Sequence, residues 1–448
     1  MKIIFVSLGC DKNLVDAQQM MGLLKNSRGS YTFTDDETEA EAAVVNTCCF
    51  IDRAKQESID EILSLVEWKK QGNLKYLIVT GCMAQRYREE ITTLIPEVDV
   101  VVGTTAEKHL GEILDRLTGA AEGDEPVNKL YTESLKETTG APAKRLITAD
   151  SHIGYLKIAE GCNKCCTYCV IPSVRGRYRS VPMEDILADA RDLIEQGARE
   201  LILVAQETTI YGVDLYGKKM LPELLRRLCL LSGVKWIRVL YCYPEEITEE
   251  ILQVMHDEEK ILPYLDIPIQ HASDRILKRM GRRTDQKELR EKIAMIRRIL
   301  PDVCLRTTLI TGFPGETEEE HKELLSFIEE MRFDRLGVFT YSREEGTPAA
   351  KLPGQIHHMT KKRRQRELMT AQQPIAFAAA EAMKGQVLDV LIEGKLTGED
   401  VYVGRTYKDI PGVDSNIFIE TRRDLLTGEF VRAKVTGANE YDLIGELV

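Results

Sequence analysis

The sequence predicts an α/β protein in three parts: an N-terminal doubly wound α/β domain, a central partial barrel of six βα units, and a small C-terminal all-β barrel. Three observations predict it. Strand-length apolar runs alternate with helical patterns over residues 1–118 and again over 148–380. A stretch rich in Gly, Pro, Thr and charge, 119–147, lies between them and reads as a linker. Over 381–448 the texture changes to short alternating strands separated by turn residues.

In the first part, Ile3–Val6, Ala42–Val45, Tyr76–Val79 and Val98–Val102 are strands of buried type, with helical patterns at roughly Leu14–Lys25, Arg53–Lys70 and Arg86–Leu94. This βαβα order implies a parallel sheet. In the second part, strands are expected at Tyr155–Ala159, Glu200–Val204, Trp236–Tyr241, Tyr264–Ile269, Cys304–Ile310 and Arg335–Tyr341. Helices such as Glu184–Glu195 and Glu318–Met331 fill the gaps, and six units fall short of the eight that close a full barrel. A helix rich in Lys, Arg and Ala spans about Thr360–Met383. Beyond it Val387–Ile392, Val401–Val403 and Val431–Val435 read as strands.

Bulk composition narrows the function. Sixty Lys and Arg against 72 Asp and Glu give the 448-residue chain a net charge of -12. Phosphate binding is driven by Lys and Arg displacing counterions, so such a chain is a poor general nucleic-acid binder and suits a basic partner. The start, MKIIFVSLGC, turns polar too soon for a signal peptide, and no apolar run is long enough to span a bilayer. The expected compartment is the cytoplasm. Eleven cysteines there read as metal ligands or catalytic groups, because cytosolic thiols are kept reduced.

Six of the eleven fall into two sets of three. In GCNKCCTYCVIP, Cys162, Cys166 and Cys169 form C-x3-C-x2-C after the first strand of the second part. Three thiolates on one loop can hold three irons of a 4Fe–4S cluster and leave the fourth iron open, as a catalytic centre requires. Cys165 offers an alternative spacing. A structural zinc knuckle would need a fourth ligand, for which His152 is the one nearby candidate. In the second set, Cys10, Cys48 and Cys82 each follow a strand of the N-terminal sheet, at the edge where open α/β sheets bind ligands. Cys49 adjoins Cys48 and could replace it on spacing alone.

The C-x3-C-x2-C loop in this setting resembles the radical S-adenosylmethionine superfamily. SLGCDKNLVD, VNTCCFI and TGCMAQRY resemble three segments of the methylthiotransferase family within it, and the likeness extends over nearly the whole chain, including a C-terminal barrel similar to the TRAM domain. The resemblance implies two 4Fe–4S clusters, one on Cys162, Cys166 and Cys169 and the other on Cys10, Cys48 and Cys82, together with S-adenosylmethionine. It selects Cys48, directly after Asn-Thr, over Cys49. It implies cofactor contacts at Gln206 and Glu207 after the second barrel strand, at Gln270 and His271 after the fourth, and at Gly312 and Gly315 in TGFPGET; Arg306 is a further candidate, and it and Arg238 point from strands, where they either line the barrel or neutralise carboxylates.

SLGCDKNLVD resembles the RimO branch, with Asp11 where proline is common. That branch adds a methylthio group to an aspartate β-carbon of the twelfth small-subunit ribosomal protein. The alternatives are the branch acting on a tRNA adenosine and, from another class, an iron–sulfur scaffold or electron carrier. The implied partners are the ribosomal protein or the assembled small subunit, and a reductant such as flavodoxin or ferredoxin. Residues 385–448 carry twelve Asp and Glu against seven Lys and Arg, which favours a basic protein over RNA. The basic helix start, Lys361–Arg366, leaves room for an RNA contact.

Overall fold

The computed structural model describes residues 1–119, 128–135, 144–147 and 150–448. Six parallel strands form the N-terminal sheet: β1 (Lys2–Ser7), β2 (Thr32–Phe33), β3 (Ala42–Thr47), β4 (Tyr76–Thr80), β5 (Val100–Val102) and β6 (Leu130–Tyr131), in the order β2-β1-β3-β4-β5-β6. Side chains alternate between its two faces. Ile4, Ala43, Val45, Leu77 and Val79 pack on the helix Asp52–Lys70 through Ile62, Leu65 and Val66. Ile3, Ala42, Val44 and Ile78 pack on the helices Asp11–Lys25 and Leu110–Leu117. Helices on both faces make the sheet doubly wound, and β3 is buried along its whole length, as a central parallel strand should be.

The stretch read as a linker is partly structured. Residues 120–127 and 136–143 lie outside the described residues, but β6 adds a strand beside β5. Arg145 is buried and donates to Asp189 (3.0 Å) and to the Tyr155 carbonyl (2.7 Å). The helix expected at Arg86–Leu94 breaks at Tyr87 into Gly81–Arg86 and Arg88–Leu94.

The central domain opens with β7 (Ile153–Lys157). A short ribbon follows, β8 (Ala159–Glu160) paired with β9 (Arg179–Ser180). Then come β10 (Glu200–Val204), β11 (Trp236–Val239), β12 (Ile261–Asp266), β13 (Cys304–Thr311) and β14 (Arg335–Thr340). The parallel order β14-β13-β12-β11-β10-β7 leaves β14 and β7 as edges, a partial barrel. The fourth strand sits three residues earlier than expected, because Pro268 has no N–H to offer a ladder. Only Gln270 then rejoins the sheet, by a bridge to Leu309.

The helix His358–Glu381 leads to a closed barrel of β15 (Val387–Lys395), β16 (Val401–Arg405), β17 (Ile417–Glu420), β18 (Phe430–Asn439) and β19 (Asp442–Leu447). Its 405–414 segment plugs the N-terminal mouth of the partial barrel. Arg405 donates to Glu200 (2.7 Å), which also receives Arg238 (2.7 Å), and all three are buried. Arg335 donates to Asp409 (2.6 Å) and the Tyr264 hydroxyl to Asp414 (2.8 Å). The opposite mouth, at the C-terminal strand ends, faces the N-terminal domain. There Arg86 and Lys55 of that domain pair with Glu344 at 3.0 and 3.1 Å.

Candidate active site

The loop carrying Cys162, Cys166 and Cys169 leaves β8 at this second mouth. Backbone N–H groups point at two of its sulfurs, Lys164 N to Cys162 Sγ and Ile171 N to Cys169 Sγ, both at 3.4 Å. The Tyr243 hydroxyl lies 3.9 Å from Cys166 Sγ. Cys165 is exposed, and its sulfur is directed at the Asn163 carbonyl (3.9 Å), outward from the set. The turn at Gly281 braces the loop. Its φ is +74°, and a Cβ there would stand 2.6 Å from the Cys165 carbonyl oxygen, so only glycine fits. His152 lies elsewhere, its Cβ packed beneath Gly428 of the last barrel, and it is no partner for these sulfurs.

The second set gathers at the point of the N-terminal sheet where the strand order reverses, between β1 and β3. Cys10 caps the helix Asp11–Lys25, Cys48 follows β3, and Cys82 lies in the first turn of Gly81–Arg86. Gly9, with φ +96°, lets the chain pass Cys48; a Cβ there would meet Cys48 Cβ at 2.7 Å. Cys48 is held by reciprocal hydrogen bonds with the Ser58 hydroxyl, both 3.0 Å. Cys49, 1% exposed, packs into the apolar core instead.

Two features join the sets. Tyr241, Cys242 and Tyr243 follow β11. Tyr243 meets Cys166, while the Tyr241 hydroxyl donates to Asp11 (2.9 Å), next to Cys10. Arg175, shortly after the cysteine loop, crosses to the N-terminal domain. It donates to Cys82 Sγ (3.2 Å), the Asn13 side-chain oxygen (2.6 Å), Asp16 (2.6 Å) and Glu160 (3.3 Å), and Lys157 completes the cluster of charges. The sequence signal missed Arg175, Lys157 and Tyr241, because nothing local marks a residue that meets Asp16 or Asp11 from more than a hundred positions away.

The other expected residues divide. Gln206 donates to Glu160 (2.8 Å) and leaves its oxygen without a partner. Glu207 is fully buried, with Lys164 3.6 Å away and one carboxylate oxygen unpartnered. Burial pushes it up to about 7, with Lys164 opposing and Glu246 and Glu245 adding to the rise. Gln270, at φ +72°, lines a mostly apolar cavity of about 160 Å³ with Tyr168, Thr308, Ile310 and Tyr341, and Phe50 and Ile51 of the N-terminal domain close it. His271 is fully buried; its Nδ1 accepts the Ser273 N–H (3.0 Å), and its Nε2, 3.9 Å from Glu316, has no hydrogen-bond partner. Arg306 is engaged by Asp266 (2.9 Å) and Asp414 (3.7 Å), toward the plugged mouth. Gly312 and Gly315 shape a turn that Glu316 staples by accepting the N–H groups of Gly312 and Phe313 (2.5 and 3.0 Å).

Comparison with known proteins matches each part. Residues 2–103 match a family described as uncharacterized protein family UPF0004, 156–328 the radical SAM superfamily and 385–448 the TRAM domain. The chain is 56% identical to the ribosomal protein uS12 methylthiotransferase RimO of Lachnoclostridium phytofermentans, over 99% of both chains. This chain belongs to the RimO family. The RimO of Clostridioides difficile is 48% identical over 100% of this chain and 99% of its own. Among solved structures, the radical S-adenosylmethionine methyltransferase TsrM of Kitasatospora setae shares the fold, with TM-score 0.56 and 14% identity over 78% of this chain and 76% of its own.

The residues fit the cofactors of the RimO family. Among the described residues no three His, Cys, Asp or Glu side chains close on a single metal ion. A 4Fe–4S cluster asks for a wider set, because each thiolate binds its own iron. Burial pushes the Cys162 thiol up to about 11 and Cys169 to about 12, so these sulfurs become thiolates only when metal takes the proton's place. The unpartnered oxygens of Gln206, Glu207 and Gln270 fit the amino and hydroxyl donors of S-adenosylmethionine.

Proposed function

We propose that this chain adds a methylthio group to the β-carbon of an aspartate in ribosomal protein uS12, with Cys162, Cys166 and Cys169 holding the radical-generating cluster and Cys10, Cys48 and Cys82 the sulfur-donating one. The observation that carries the reading is the convergence of two cysteine triads on one interdomain cleft, in a chain similar to RimO proteins from end to end. When bound, the clusters and S-adenosylmethionine supply electrons, two open irons, a 5′-deoxyadenosyl radical and the methylated sulfur.

The chain's own residues do the remaining work. The two triads lie at C-terminal strand ends of two sheets and would hold one cluster each, with Arg175 and the Tyr241–Tyr243 segment linking them. Gln206 and Glu207 receive the cofactor's donors, and the apolar walls around Gln270 keep water from a reactive radical. An unactivated C–H bond has no acidic proton, which accounts for a cleft with no acid–base dyad. Flavodoxin or ferredoxin supplies electrons, and a ribosomal substrate puts the protein in the cytoplasm. No helix among the described residues is long and apolar enough to cross a membrane.

Two charge patterns weigh against RNA as the substrate. The basic helix start is partly neutralised within the protein: Arg363 pairs with Glu318 and Glu367, and Arg364 with Glu316 and Glu318, while Lys361 is turned inward to donate to the Tyr341 carbonyl. The last barrel keeps its acidic excess even with Arg405 and Asp409 buried, and Asp414 half-buried, against the central domain. The deciding assay offers the anaerobically reconstituted, reduced enzyme uS12, assembled small subunits and an anticodon stem-loop with the modified adenosine. A methylthio mass gain on uS12 is expected; a gain on the RNA alone overturns the reading.

A further inference from the structure

One buried charge in the cleft has no use in the mechanism above. Lys12, 7% exposed, lies two positions beyond Cys10. A buried ammonium normally has a carboxylate against it, because taking a cation out of water costs several kcal/mol. Even the two half-buried lysines of this cleft obey that rule. Lys157 pairs with Asp16 and Glu160, and Lys164 with Glu207, Glu245 and Glu246. Among the described residues Lys12 has no carboxylate within 4.0 Å; its Nζ stands 3.5 Å from the centroid of the Tyr241 ring. Its sequence neighbour Asp11 accepts the Tyr241 hydroxyl instead.

The ring is held where it is at a cost. Tyr241 has φ +59°, a left-handed conformation that an aromatic residue adopts only when its surroundings enforce it. Here the Asp266 carboxylate accepts its N–H (3.2 Å), and Asp11 takes its hydroxyl. Two residues on, Tyr243 reaches Cys166 of the other triad. The Lys12 ammonium therefore lies in the gap between the two cysteine sets, above an aromatic floor.

We propose that Lys12 is a specificity-determining residue whose ammonium receives the side-chain carboxylate of the target aspartate, with the Tyr241 ring beneath the pair. This rests on the uS12 reading. The carboxylate supplies the anion the site lacks, and the β-carbon is one bond away, so fixing the carboxylate fixes the C–H to be attacked. Asparagine would leave the ammonium unpaired. Glutamate would carry its β-carbon one bond further off.

The test measures affinities of two synthetic peptides spanning the uS12 target loop, one with the aspartate and one with asparagine there. Titration calorimetry is run on cluster-loaded wild type, Lys12→Met and Lys12→Arg, with iron content and S-adenosylmethionine affinity measured beside it. Wild type should prefer the aspartate peptide by about thirtyfold or more, the usual loss when one member of a buried charge pair is removed. Lys12→Met should bind both peptides as weakly as wild type binds the asparagine peptide, and Lys12→Arg should retain the preference. Iron content and S-adenosylmethionine affinity should hold in both variants. A preference that survives Lys12→Met overturns the assignment. So does loss of iron, which would make Lys12 part of the cluster's surroundings, or loss confined to S-adenosylmethionine affinity, which would give it the cofactor's carboxylate. Wild type that binds and modifies neither peptide overturns the substrate reading itself, and the assignment with it.

Discussion

At the scale of single residues, Arg175 carries the most connections. It binds Cys82 Sγ and balances Asp16 and Glu160, all out of water. Arg175→Met strands two buried carboxylates on Lys157 alone, and removing one partner from such a set costs about 3–5 kcal/mol. Denaturant unfolding should show that loss. An electron-spin-resonance titration should also show a lower midpoint potential for the N-terminal cluster, since a hydrogen bond to a ligand sulfur stabilises the reduced form. His271 sets a pH dependence. Burial holds its pKa at about 3, against about 6.5 when unfolded. Between those values the unfolded chain binds the extra proton, so this stabilisation is complete above about pH 6.5 and is lost as pH falls. In His271→Asn the amide oxygen accepts the Ser273 N–H in place of Nδ1, and the thermal midpoint should fall less steeply from pH 7 to 4.5. The neighbour cysteines give a third check. Cys165 points outward and Cys49 packs into apolar core, so each Cys→Ser variant should keep about eight irons per chain on anaerobic reconstitution, four per cluster.

At the scale of elements, the cysteine loop is shaped by a partner turn more than a hundred residues away. Thr167 donates its N–H to the Met280 carbonyl (2.9 Å) and its hydroxyl to the Arg279 carbonyl (2.8 Å), and Gly281 passes under Cys165. Gly281→Ala puts a methyl group 2.6 Å from a backbone oxygen at a positive φ. The loop must move, and the expected result is loss of about four irons, with the signal of the other cluster preserved. Equal loss from both clusters would mean that the turn supports the whole cleft. The regular elements themselves were readable. Glu200–Val204 and Glu318–Met331 have the ends the sequence implied, the helix because Thr317 and Glu320 form a capping box at its start. Boundaries slipped where one residue overrides periodicity, as Pro268 does after β12.

At the scale of the whole molecule, the last barrel completes the central one. The fully buried Arg238–Glu200–Arg405 chain spans two domains, as do Arg335–Asp409 and Tyr264–Asp414. Deleting residues 385–448 leaves Glu200 with Arg238 alone and takes Asp409 from Arg335 at the open mouth. The truncated chain should lose cooperative unfolding and near-ultraviolet dichroism, and should fail to hold the radical cluster. A truncated chain that folds normally and only loses affinity for uS12 would show the barrel to be a recognition module alone.

Most of the regular elements, and the two sets of three cysteines, are legible in the sequence. Strand and helix follow from the spacing of apolar side chains, and the cysteine sets follow from motifs confined to a few residues or to equivalent strand ends. Gln206, Glu207 and Gln270 are proposed from their places at strand ends, because strand ends in a parallel barrel converge on one mouth. Pairings came from the fold alone: Arg306 with Asp266, Asp16 with Arg175 across 159 positions, and Arg405 with Glu200 across 205. A charge is attractive to any opposite charge, so composition cannot say which pair desolvates together. Packing selects that pair once the two sheets and the last barrel are in place, and in doing so it leaves Lys12 over the Tyr241 ring with no carboxylate within 4.0 Å among the described residues.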